Sequence, residues 1–111
     1  MMLDFESETA EKIHARVRAF HPWLPCYVSH RNKYFIPNPY KLRILDEEHT
    51  EKILKKRKIT TPKVGDIIDT NYKSRSITVM CRDWKSLKMT GVYLYGFFNK
   101  PFTRLFIKNI L

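Results

Sequence analysis

The chain has 111 residues, of which 43% are hydrophobic and 14% aromatic, and it carries a formal net charge of +10. This length suits a single domain over residues 1–111, and the apolar fraction is enough for one core, which excludes a wholly disordered chain. No apolar run approaches the roughly 20 residues that span a bilayer, and the acidic start lacks the pattern of a signal segment. We therefore expect a cytoplasmic protein, with an organellar location left open.

The charge is distributed unevenly along the chain. Residues 1–50 hold seven basic and seven acidic side chains, whereas residues 51–111 hold fourteen basic and four acidic ones. The whole excess of positive charge therefore lies in the second half. A surface that faces a polyanion has such an imbalance. A solvated basic face without a partner is the alternative.

An amphipathic helix is predicted at about residues 8–20. Its apolar residues recur at three- and four-residue spacing and so share one face; they are Ala10, Ile13, Val17 and Phe20. Ser7 or Thr9 is expected to cap the first turn, and Pro22 ends the helix. Trp23 is expected to close over the apolar face as part of the core.

The remainder of the chain predicts mainly strands. Alternation at residues 40–45 predicts a half-buried strand with Tyr40, Leu42 and Ile44 on one face and a basic outer side. Further strands are predicted at residues 26–30, 34–36, 64–69, 76–81, 86–90 and 92–95. After Pro101, a short helix is expected to pack an apolar face against the sheet; that face consists of Phe102, Leu105, Phe106 and Ile110.

The segment at about residues 46–61 differs in kind. Acids come first and bases last, which suits the dipole of a helix, but only Ile53, Leu54 and Ile59 are apolar. We favour an exposed, charged loop with one or two helical turns. Such a long stretch within a compact domain is usually functional or mobile.

These elements predict an α+β fold that is mainly β, and by pattern alone a small barrel or a sandwich. Residues 9–23 have the form T-A-E-x-I-H-x-x-V-R-A-F-x-P-W. This run resembles the opening of the C-terminal domain of methionyl-tRNA formyltransferase, and a Pro-x-x-Gly-x-Ile run at residues 62–67 is compatible with it. The family continues Pro-Trp-Pro-Gly-Ala-Tyr, whereas this chain has Leu24-Pro25-Cys26 after the tryptophan. The resemblance implies a partly open barrel of the oligonucleotide-binding (OB) type.

Nothing in the sequence indicates an active site. The four histidines lack metal-ligand spacing, and three glycines cannot build a phosphate-binding loop. Cys26 and Cys81 are too few for a zinc site and are expected to be reduced and buried. We therefore expect no catalytic residue, metal or cofactor in this chain. The resemblance places catalysis in a separate N-terminal domain that uses 10-formyltetrahydrofolate.

Cationic side chains of the second half are candidates for contacts with nucleic acid. They alternate with Tyr72 and Trp84, which are suited to stack on exposed bases, although a packing role for Trp84 at a hairpin is the alternative. The candidate nucleic-acid-binding residues are Lys55, Lys56, Arg57, Lys58, Lys63, Lys73, Arg75, Arg82, Lys85 and Lys88.

In the resembled family, this domain helps to hold the acceptor arm of initiator tRNA, so the resemblance implies tRNA as a partner and a role in translation initiation. Two alternatives stay open. One is an accessory or dimerisation domain of a sugar-nucleotide N-formyltransferase, and the other is a free-standing nucleic-acid-binding module. No membrane contact is expected, and the sequence predicts no oligomeric state.

Overall fold

The computed structural model describes residues 1–21, 25–96 and 100–110. Its helices are α1 (Ala10–Phe20), α2 (Glu47–Lys56) and α3 (Lys100–Lys108). Its strands are β1 (Val28–His30), β2 (Lys33–Ile36), β3 (Leu42–Leu45), β4 (Ile67–Asn71), β5 (Ser76–Met80), β6 (Ser86–Met89) and β7 (Tyr93–Leu94). The expectations for Pro22 and Trp23 lie outside the described residues.

The strands form two antiparallel sheets, in the orders β1-β2-β7 and β3-β6-β5-β4. Over the described residues, the seven strands do not close into a barrel. The predicted class, an α+β fold that is mainly β and partly open, is confirmed. The assignment of residues 1–111 to one domain stays a prediction.

Helix α1 forms as its pattern predicts. The Thr9 hydroxyl accepts a hydrogen bond from the Lys12 backbone N–H at 3.3 Å, which satisfies one of the free donors of the first turn. Ala10, Ile13 and Val17 are buried on the face that packs toward β3 and β6. Local capping and apolar periodicity therefore agree with the tertiary fold at this helix.

The core lies between α1 and the inner face of the four-stranded sheet. The fully buried side chains of that face come from the two central strands; they are Ile77, Val79, Leu87 and Met89. Every residue of β5 is buried, because the outer face of the sheet is covered as well. Leu54 of α2 packs there against Ile68 and Met80 in a second, smaller cluster.

Helix α2 corrects the expectation of an exposed loop with one or two helical turns. It runs for ten residues, and the carboxylate of Asp46 caps it by accepting the His49 backbone N–H at 2.9 Å. Its apolar face is as narrow as the sequence indicated. That face is wide enough to stabilise the helix because it packs against a small apolar patch of the sheet rather than a broad core.

Two predicted orientations differ from those observed. Tyr40 precedes β3 and is 82% exposed, so it does not share the half-buried face of Leu42. Helix α3 forms, but Thr103 and Ile107 are its buried residues, whereas Leu105 is 59% exposed. The Thr103 hydroxyl accepts the Leu94 N–H at 3.3 Å. This bond orients the helix so that part of the expected apolar face points to solvent.

Truncation of Ile13 tests the packing of α1. Because Ile13 is fully buried, the Ile13→Ala variant is expected to lose roughly 2–5 kcal/mol of the free energy of unfolding. Lys12→Ala, one position away on the exposed side, is the control and should change it by less than about 0.5 kcal/mol. Urea denaturation measures both, and equal losses in the two variants would contradict this packing.

Both cysteines should resist alkylation in the folded protein. Cys26 and Cys81 are free and buried, and burial raises the pKa of Cys81 to about 12. Relative to an ordinary thiol, this reduces the thiolate at pH 8 by roughly a thousandfold. We expect iodoacetamide to label neither residue until guanidinium is added, whereas a cysteine introduced by Ser29→Cys at an exposed position labels at once. Rapid labelling of native Cys81, detected by mass spectrometry, would contradict its burial.

Candidate nucleic-acid interface

Four of the ten predicted cations are held by partners within the fold. Arg57 donates to the Asp69 carboxylate from Nη2 at 2.7 Å and from Nε at 2.9 Å. The Lys85 ammonium lies 2.6 Å from a carboxylate oxygen of Glu11, and this contact lowers the pKa of Glu11 and raises the pKa of Lys85. These two side chains neutralise acids of the same molecule, so they add little net positive potential.

Arg75 and Arg82 contact backbone rather than acids. Arg75 lies over the Tyr93 ring at 4.3 Å and donates to the Val92 carbonyl at 3.3 Å. Arg82 donates to the Ser7 carbonyl at 3.3 Å, which links the turn after β5 to the segment before α1. Over the described residues, neither guanidinium forms an ion pair with an acid. The fold determines both positions, which lie at opposite ends of β5.

The other six cations differ in their surroundings. Over the described residues, their ammonium groups take part in no ion pair; they are Lys55, Lys56, Lys58, Lys63, Lys73 and Lys88. Lys63 and Lys73 lie in separate loops on either side of β4. Lys55, Lys56 and Lys58 lie within four consecutive residues and are exposed at the end of α2. The strongest local concentration of available charge therefore lies at that end.

The end of α2 forms a Schellman turn. The Lys58 N–H donates to the Lys55 carbonyl at 3.2 Å, and the Ile59 N–H donates to the Leu54 carbonyl at 2.9 Å. Lys58 takes φ +58°, the left-handed conformation in which helices often end, and Ile59 packs beside Leu54. The turn reverses the chain and thereby brings Lys58 back beside Lys55.

A concavity of about 370 Å³ opens beside this turn. Its lining consists of Glu51, Leu54, Lys55, Lys58, Ile59, Thr60 and Trp84. Trp84 is 48% exposed, so about half of its side chain is accessible beside these cations. Its backbone and that of Asp83 are both left-handed, with φ +56° and +62°. This backbone turns the indole outward, beside two cationic side chains and one acid.

A second cationic pair lies on the outer face of the four-stranded sheet. Arg43 of β3 stands directly opposite Lys88 of β6. Like charges at such paired positions repel each other, and an anion placed over them would relieve that repulsion. Arg43 was absent from the candidate residues, although the alternation of residues 40–45 had placed it on a basic outer face.

The arrangement at the end of α2 is suited to contacts with a nucleotide chain. Over the described residues, no group of three acids, cysteines or histidines is arranged to hold a metal ion. No described helix has the length and apolar character of a membrane span. Two lysines beside an exposed indole can, however, contact a phosphate and a base of one nucleotide chain.

Comparison with known proteins identifies the family. The model of the formyl transferase C-terminal domain matches residues 1–93, which end before α3 begins. Neither the curated proteins nor the solved structures contain a significant match to this chain. The family match covers most of the chain and includes α1, all but the last residue of the seven strands, and the site at the end of α2. The chain therefore belongs to the formyl transferase C-terminal domain family.

Proposed function

We propose that this domain presents a basic surface to tRNA, at or near its acceptor arm, in support of a formyltransferase. A separate N-terminal domain would transfer the formyl group from 10-formyltetrahydrofolate, as the resemblance to methionyl-tRNA formyltransferase implies. The observation that supports this proposal best is the pairing of Lys55 and Lys58 with the exposed Trp84 in one concavity. Family membership and the basic second half of the chain are consistent with it.

The lysines and Trp84 would make two different kinds of contact with the RNA. Lysine ammonium groups contact phosphates and release counterions, which gives affinity that depends on salt and hardly on sequence. Trp84 would stack on an unpaired base, and the end of an acceptor arm supplies such bases. Arg43 and Lys88 would extend the phosphate contacts across the sheet.

The second candidate is a dimerisation or support domain of a sugar-nucleotide N-formyltransferase. An exposed aromatic cluster favours it, because Tyr27 contacts the rings of Tyr34 and Tyr95 at 6.2 and 5.3 Å, and the latter two are 41% and 52% exposed. Exposed aromatic residues are frequent in protein interfaces. A stable dimer without affinity for tRNA, detected by light scattering and a gel shift, would favour this candidate.

Removal of the three lysines at the end of α2 should flatten the salt dependence of tRNA binding. In the variant Lys55→Ala/Lys56→Ala/Lys58→Ala, Arg57 is kept because it pairs with Asp69. We expect weaker binding and a slope of log K against log salt that is smaller by roughly 1 for each lost phosphate contact, thus by about 2 to 3. Fluorescence anisotropy with labelled tRNA at several salt concentrations measures the slope.

The control for this variant removes cations from another surface. Lys12→Ala/Arg18→Ala changes two exposed positions of α1. This control should leave the slope close to that of the natural sequence. Equal slopes in all three proteins would exclude the end of α2 as the contact.

Replacement of the exposed indole should act differently. Trp84→Ala is expected to weaken binding by roughly 5- to 150-fold, which corresponds to about 1–3 kcal/mol for one stacked base, and to leave the salt slope unchanged. Tyr40→Ala, at an aromatic side chain that is 82% exposed, is the matched control and should bind normally. If both variants bind tRNA as the natural sequence does, Trp84 does not stack on the RNA.

A further inference from the structure

A groove lies between α3 and the turn that joins β1 to β2. Its volume is about 390 Å³, and its lining includes His30, Arg31, Lys33, Leu105, Phe106 and Ile110. The helical wall lies beyond residue 93, where the family match ends. The hairpin wall lies within the matched residues, so the groove is formed partly inside and partly beyond the family match.

The floor of the groove is apolar although it is open to solvent. Leu105 is 59% exposed and Phe102 is 43% exposed, and both line the groove with the half-buried Phe106. Thr103 and Ile107 anchor α3 from its other side, so the exposed apolar side chains are held in position. Contiguous apolar surface with a polar rim is characteristic of an interaction site.

The hairpin side of the groove carries positive charge. Arg31 and Lys33 are exposed on the hairpin side. The cations of α3 form a separate stripe at four-residue spacing that does not line the groove; they are Lys100, Arg104 and Lys108, and the Lys108 ammonium lies over the Tyr72 ring at 5.3 Å. The sequence contains no acid after Asp83, so the helix side offers no counter-charge of its own.

We propose that this groove docks an acidic amphipathic helix of a protein partner. One or two large apolar side chains of the partner would enter the groove beside Leu105 and Phe106, and its carboxylates would contact Arg31 and Lys33 on the hairpin rim. This is the helix-in-groove mode of recognition, in which apolar anchors give affinity and complementary charge gives orientation.

The same features disfavour other occupants. A second copy of the chain would carry the same net charge of +10, which opposes a symmetric contact through a groove with a basic rim. A lipid surface receives protruding apolar side chains, whereas this floor is recessed between a hairpin and a helix. RNA would find phosphate contacts on the hairpin rim and one exposed ring, Phe102, but the most exposed apolar side chain of the floor is the aliphatic Leu105, so competition by tRNA is an outcome of the test.

The test uses a fluorescein-labelled peptide with Leu and Phe on one helical face and Glu on both flanking faces. Anisotropy should detect its binding to the full chain, and a peptide with the same composition in scrambled order should bind at least tenfold more weakly. Leu105→Glu should weaken binding more than tenfold by placing a carboxylate in the apolar floor. Arg31→Glu/Lys33→Glu should also weaken peptide binding more than tenfold, because it reverses the charge of the hairpin rim. Circular dichroism measures whether both variants fold.

Matched controls separate this groove from the tRNA surface. Lys12→Glu/Arg18→Glu reverses two exposed charges on α1 and should bind the peptide normally. Leu105→Glu should still bind tRNA, so loss of the peptide alone tests the groove independently of the proposed function. The inference is overturned if neither peptide binds or if both bind equally. It is also overturned if tRNA displaces the peptide, or if Leu105→Glu abolishes binding to phosphatidylserine vesicles or self-association instead.

Discussion

The packing of α2 on the outer face of the sheet is the contact on which the candidate site depends. Thr50 and Ser86 are fully buried and share a hydrogen bond of 2.8 Å between their hydroxyls, and Leu54 packs on Ile68 and Met80 beside them. A buried hydroxyl that loses its partner costs about 1–3 kcal/mol, so this bond resists rotation of the helix. With α2 held in this way, its final turn projects lysines beside the exposed indole of Trp84.

Local patterns in the sequence were sufficient for the elements whose folding depends on short-range interactions. The spacing of Ala10, Ile13 and Val17 predicted α1, and the predicted strands coincide with the observed ones to within a few residues. Helix α2 was interpreted as a loop because its apolar face is narrow. A narrow face can hold a helix only if it packs against apolar residues elsewhere in the chain. Here those residues are Ile68 and Met80 of later strands, which the local sequence around α2 cannot reveal.

The candidate site required tertiary information in the same way. Composition identified the cations but not their partners, since Arg57 pairs with Asp69 and Lys85 pairs with Glu11 across long stretches of chain. Exposure of Trp84 depends on left-handed backbone at two consecutive residues, and neither is a glycine that would have signalled it. Of the ten predicted cations, four have contacts within the fold, three lie together at the end of α2, and Lys88 lies opposite Arg43, which was not among the ten. The groove beside α3 was missed because spacing alone placed Leu105 on the buried face.

The most direct test of the central claim is a titration of the isotope-labelled domain with a tRNA acceptor-stem hairpin, followed by NMR. The account predicts that the largest shift changes fall on the Trp84 indole N–H and on the backbone amides of Lys55 to Ile59, with smaller ones at Arg43 and Lys88. Amides along α1 should stay in place. Changes that are spread evenly over the surface, or that are confined to α1 or to the groove beside α3, would contradict it.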